Sequence, residues 1–140
     1  MKPEKNIDVN TLLDSLQNGE SITLPVQGVS MVPFLKPGKD TVNVEIPTSK
    51  IKKGDIVLYK KGRSIVMHRV FAADGDSFSA VGDNETGIES GIPVSYVRAR
   101  VTQVNTENGA VKPQSLRWRF FSWVFTNEKM RNSSIVRRTK

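Results

Sequence analysis

Cysteine is absent from this 140-residue chain, and histidine occurs once, at position 68. Without thiols there can be no disulfide, no thiol nucleophile and no thiolate metal ligand, and a single imidazole is too little for a zinc site. The glycines form no loop of the kind that cradles phosphate, so neither a cofactor nor a metal is called for. No apolar run reaches the roughly 7–15 residues of a secretion signal or the roughly 20 that span a bilayer. The chain is therefore expected to stay in the cytoplasm, free or held at a membrane surface.

What is present fits one folded domain. The chain is short enough for a single core, with 37% hydrophobic and 25% charged residues. Its charge is unevenly placed. Residues 1–111 hold 13 Lys/Arg against 13 Asp/Glu, whereas residues 112–140 hold 8 Lys/Arg against Glu128 alone, so the net +7 lies in the tail. A neutral body with a basic end points to contact with an anionic surface, or to a solvated end that aids solubility.

Val9, Leu12, Leu13 and Leu16 recur at helical spacing after Asp8 and before Gly19, which predicts a short helix over residues 9–18. From Ser21 the pattern changes to short strands, predicted at 21–26, 41–46, 55–60, 64–71, 77–81 and 96–104. Turns are expected at Lys61-Gly62-Arg63 and Asp74-Gly75-Asp76, and a further hairpin at Asn108-Gly109. The expected body is a compact antiparallel sheet or partly closed barrel.

After Pro113 the segment LRWRFFSWVF gathers both tryptophans and three of the six phenylalanines. Drawn as a helix, it has a narrow polar stripe of Arg119, Ser122, Thr126 and Lys129, with apolar residues around most of the rest. Docking on the β body and lying in a membrane interface suit it equally. The last ten residues, 131–140, are expected to be mobile. The working division is a body, 1–111, and a basic aromatic tail, 112–140.

Two residues carry candidate chemistry. Ser30 stands in the loop Gly28-Val29-Ser30-Met31-Val32-Pro33, between two predicted strands. A serine hydroxyl needs a base within about 3 Å to take its proton as it attacks a carbonyl, and His68 is the sole imidazole available. On a strand over 64–71, His68 shares a face with Val66 and Val70, the opposite face carrying Ile65, Met67, Arg69 and Phe71. A histidine between valines is more often structural than catalytic, and most loop serines only turn or cap the chain.

The order of four blocks changes that balance. The loop serine with Met31 and Pro33, then Lys53-Gly54-Asp55, then His68-Arg69-Val70, then Gly82-Asp83-Asn84 resembles the type I signal peptidase family, over about residues 24–104. The pattern is similar to the branch in which histidine replaces the lysine base. The resemblance implies a mainly β fold, a coiled antiparallel sheet or partly closed barrel of signal-peptidase type with a short N-terminal helix and a C-terminal amphipathic helix. It also implies a serine endopeptidase that cuts an extended peptide or protein precursor, with small residues preferred before the cut; the family normally begins with a transmembrane anchor, and the short helix expected here in its place is a departure from that pattern.

By the same resemblance Ser30 is the nucleophile, His68 the base and Asp83 the acid that supports the imidazole, with Glu89 a weaker candidate for that task. Gly28, Ser30 and Met31 are the loop positions expected to meet the oxyanion and the substrate. Many relatives carry a hydroxyl two residues before the nucleophile, where this chain has Gly28. Should His68 not be the base, Lys60 or Lys61 would take its place. The competing expectation is a peptide-binding β module, weak or inactive in catalysis, attached to a membrane surface through residues 113–140. Nucleic acid is an unfavoured partner, because the aromatic cluster reads as a helix rather than a stacking platform on a sheet.

Overall fold

The computed structural model describes residues 8–131. The chain folds as α1 (Val9–Asp14), β1 (Ile22–Pro25), β2 (Thr41–Glu45), β3 (Ile56–Lys61), β4 (Ser64–Asp74), β5 (Ser77–Val81), β6 (Glu89–Pro93), β7 (Val97–Thr106), β8 (Gly109–Val111), α2 (Leu116–Thr126) and α3 (Glu128–Arg131). Among these elements no helix is long and apolar enough to cross a membrane.

Asp8 starts α1 by accepting the Asn10 amide at 3.0 Å and the Thr11 hydroxyl at 3.0 Å. The helix ends earlier than its apolar spacing predicts. The Ser15 amide and hydroxyl both turn back to the Leu12 carbonyl, which breaks the helical ladder while still delivering Leu16 to the core.

All strand pairings are antiparallel, in the order β1-β2-β7-β3-β4-β5-β6, with β8 paired to β7. The six predicted strands are present, β4 and β7 running longer than expected. Gly62-Arg63, Gly75-Asp76 and Glu107-Asn108 make the three hairpin turns. Two short strands, β6 and β8, carry too little apolar alternation to be seen beforehand. The sheet does not close into a barrel.

Both sheet faces are covered. Ile56 and Leu58 of β3 join one core with Leu24, Phe34, Val42 and Trp118, while Val57 and Tyr59 join the other with Val70 and Phe78. The predicted alternation along β4 is followed: Ile65 and Met67 pack on the first core, Val66 and Val70 on the second.

The basic tail contributes to the first core. Ser115 caps α2 by accepting the Trp118 amide at 3.3 Å, and Trp118, Val124, Phe125 and Thr126 are buried. Trp118 meets Phe34 edge to face at 5.5 Å and donates its indole N–H to the Gly54 carbonyl at 3.3 Å. Each aromatic removed from water contributes about 1.5–3 kcal/mol. Gly54 has φ +94° and lies against Ser122, whose Oγ would be 2.2 Å from a Cβ placed there, so a side chain at position 54 would be strained and would force the Ser122 hydroxyl to turn.

Of the polar stripe, Thr126 is buried and Ser122 lies against Gly54, and one expectation for the tail is corrected. Arg131 is not at a loose end: it is 2% exposed and donates to the carbonyls of Phe125 at 2.8 Å, Gly82 at 3.4 Å and Glu85. The rest of the segment expected to be mobile, 132–140, lies outside the described residues.

Candidate active site

Two strand edges border one groove. β1 pairs with β2 on one side only, and the ladder from β4 to β5 begins at Arg69↔Val81, so residues 64–68 have no strand on their outer side among the described residues. Between these edges is a groove of about 400 Å³, lined by residues 24–28, Ser30 and Met31 on one bank and by 65–68 with Lys61 and Glu85 on the other. Unpaired N–H and C=O groups along both banks are what an extended peptide would bind. The opening left in the sheet is the groove itself.

Ser30 is half-buried in the loop after β1, between Val29, which is 60% exposed, and Met31, which is 2% exposed. The loop is held from behind by the turn after β5. The Asn84 amide donates to the Ser30 carbonyl at 2.8 Å, and the Asn84 side-chain amide donates to the Val29 carbonyl at 3.1 Å. Gly82 makes this fit possible, since a Cβ there would stand 2.5 Å from the Ser30 carbonyl oxygen. Gly28 has φ +74°, a backbone state in which a hydroxyl-bearing residue would be strained, and this accounts for the departure noted at that position.

His68 is 8% exposed at the other bank. Its Nδ1 lies 3.1 Å from the Tyr59 hydroxyl, which donates its own proton to Glu89 Oε1 at 2.9 Å. With that proton committed, the Tyr59 oxygen accepts from Nδ1–H, and the neutral ring keeps its lone pair on Nε2. Burial, the hydrogen bond to Glu89 and the nearby carboxylates push the Tyr59 phenol far above its usual range, so it remains protonated. His68 Nε2 lies 3.2 Å from Glu85 Oε1.

Burial lowers the His68 pKa below its ordinary 6.5; Glu85 opposes this, Lys61 adds to it, and Glu89 and Asp83 oppose it more weakly. The ring is therefore neutral at pH 7. Nε2 of a neutral ring accepts, so it makes a hydrogen bond with Glu85 only when a proton stands between the two.

The structure moves Asp83 out of the place foreseen for it. Asp83 is 3% exposed and takes Arg69 in a two-pronged pair, Nε and Nη2 each at 2.8 Å, so its carboxylate does not orient the imidazole. Burial pushes the Asp83 carboxyl upward, while Arg69 and Arg131 pull it back. The Tyr59–Glu89 pair stands where Asp83 was expected, and Glu89 acts on the ring through the phenol.

Arg69 draws the four blocks of this chain together in space. Fully buried, it holds Asp83 of the fourth block, donates to the Gly54 carbonyl of the second at 3.3 Å, and lies 5.0 Å from the centre of the Phe34 ring at the end of the serine loop. A single arginine thus ties the scaffold of the groove, and His68 sits next to it on the opposite face of the same strand. Among the described residues no group of three or more His, Cys, Asp or Glu side chains is disposed to hold a metal ion.

Tyr59, Glu85 and Arg131 carry parts of this arrangement that sequence reading passed over. One of the three had a signal: the tight Gly62-Arg63 turn sets Lys61 opposite Ser64, which makes Tyr59 a diagonal neighbour of His68 on the same face. Comparison of the chain with protein-family models, with curated proteins and with solved structures finds no match.

Proposed function

We propose that the protein is a serine endopeptidase that binds an extended peptide between the edges of β1 and β4 and cuts it with Ser30. The observation that carries this reading is that the serine loop and the chain's sole imidazole line the same open groove. As the chain is drawn in, His68 Nε2 turns from Glu85 to the Ser30 hydroxyl and takes its proton while Oγ attacks the scissile carbonyl. The imidazolium is held through Nδ1–H on Tyr59, with the Glu89 charge behind it.

Negative charge forming on the carbonyl oxygen meets the Ser30 amide, in a loop whose carbonyl side is fixed by Asn84. Nε2–H then protonates the departing amine, leaving an acyl group on Ser30. Water, deprotonated by the same nitrogen, releases the acid and restores the hydroxyl. The apolar lining from Leu24, Val42, Leu58 and Ile65 favours uncharged side chains in the substrate.

A second reading has one observation in its favour. Both His68 nitrogens lie against side chains other than Ser30, Nδ1 at 3.1 Å from the Tyr59 hydroxyl and Nε2 at 3.2 Å from Glu85 Oε1, as in a groove that holds peptides without cutting them. One experiment separates the two: unstructured peptides are incubated with the wild-type chain, Ser30→Ala and His68→Ala, and new ends are read by mass spectrometry. Cleavage lost in both variants at unchanged circular dichroism supports the peptidase. Peptide binding without new ends in the wild type supports the module.

A further inference from the structure

We propose that the outward face of α2 docks on an anionic lipid bilayer surface, with Leu116, Phe120 and Trp123 entering the headgroup boundary and neighbouring cations on the phosphates. The helix buries Trp118, Val124 and Phe125 against the body yet carries a second apolar stripe on its outer side. Thr126 is buried and Ser122 lies against Gly54, whereas Leu116, Phe120 and Trp123 are 81%, 58% and 54% exposed. Spaced at i, i+4 and i+7, the three form one stripe along a helix of 11 residues. Among the described residues only five large hydrophobics are exposed, so this helix holds most of them in one place.

Cations stand beside the stripe. A concavity of about 650 Å³ between the loop before β3 and α2 is lined by Lys52, Lys53, Arg119 and Trp123. Its carboxylate, Asp55, is 3.3 Å from Arg100 Nη1, and the Lys52 side chain that approaches it at 3.3 Å is still 73% exposed. Beyond Arg119, the segment 112–140 holds seven Lys/Arg, of which Arg131 is buried, against one acid. Charge selects the occupant: a second copy would bring the same excess of positive charge, whereas phosphate headgroups complement it, and Trp, Phe and Leu between lysines and arginines suit the bilayer boundary. At about 1.5 Å per residue the helix is about 16 Å long, which suits lying in the interface rather than spanning it.

The inference stands apart from the peptidase reading, and Ser30→Ala should bind lipid as the wild type does. The test is sedimentation of the full chain with vesicles of phosphatidylcholine alone or mixed with phosphatidylglycerol. Binding is expected only to the mixed vesicles, weakened by salt and accompanied by a blue shift of tryptophan emission that Trp123→Phe removes. Phe120→Glu combined with Trp123→Glu should weaken binding roughly 30-fold or more at an unchanged melting temperature. If the double variant does not fold, quenching of Trp123 by brominated lipid in the wild type reads the same contact. Absence of vesicle binding, equal binding by the folded double variant, lack of quenching, a lipid-independent dimer dissolved by the same substitutions, or tighter binding to an oligonucleotide would each overturn the proposal.

Discussion

Gly82→Ala adds one methyl group, yet it is aimed at the backbone of the serine loop. The new Cβ would stand 2.5 Å from the Ser30 carbonyl oxygen, 2.9 Å from Glu85 Oε1 and 3.1 Å from Glu85 Cδ. Glu85 is a flexible side chain and can rotate away, but the carbonyl is held by the Asn84 amide and can move only with its loop. Opening the contact from 2.5 Å to between 3.0 and 3.4 Å displaces Ser30 by about 0.5–0.9 Å. Misplacement by about 1 Å costs on the order of 100-fold in rate, and overpacking of this kind costs about 1–3 kcal/mol in stability. Peptide cleavage, measured as kcat/KM beside a urea unfolding curve, should therefore fall by roughly 30- to 100-fold in a protein that is still folded. Turnover equal to wild type in the alanine variant would show that Ser30 is not held for catalysis by this turn.

Other perturbations test the surroundings of the imidazole. The acid limb of kcat/KM should have its midpoint below pH 6.5, because burial lowers the His68 pKa. Glu85→Gln should move it further down and Lys61→Gln up; a shift of both in one direction would contradict the assignment. The sign for stability follows: the unfolded chain binds its histidine proton more readily, so His68 makes the fold less stable as pH falls below about 6.5, seen as a lower melting temperature in acid than in His68→Gln. Tyr59→Phe leaves Nδ1–H without its acceptor and should cost about 1–3 kcal/mol, with Glu89→Gln adding little on top, read as a double-mutant cycle in urea. Asp83→Asn leaves Arg69 buried without its counter-charge and should cost about 3–5 kcal/mol of stability. A stable Asp83→Asn protein with only its pH profile altered would return Asp83 to the role that the structure takes from it.

Much of the fold was legible because strand alternation and turn chemistry are local. The β3–β4 hairpin could be placed from Gly62-Arg63 and the apolar pattern around it, and with it the face on which His68 lies. The charge relations around His68 were not legible, since they depend on which of several acids the topology brings near. Asp83 is fifteen residues from His68 and was favoured by resemblance, but Arg69 next in the chain captures it on the other sheet face. Glu89, on the far side of β5, reaches the ring through Tyr59. The tail shows the same limit: a helical projection sorts residues by polarity, whereas packing on the body decides which side faces in, and Thr126 is buried together with Trp118, Val124 and Phe125.

The central claim is that His68 activates Ser30. A fluorophosphonate reacts only with a serine whose proton has somewhere to go, so its site and rate of attachment, mapped by peptide mass across pH, read that claim without knowledge of the substrate. The label is expected on Ser30, at a rate that rises as His68 loses its proton and that is lost in His68→Ala. A label that avoids Ser30, or that reaches it equally fast without the imidazole, would contradict the account.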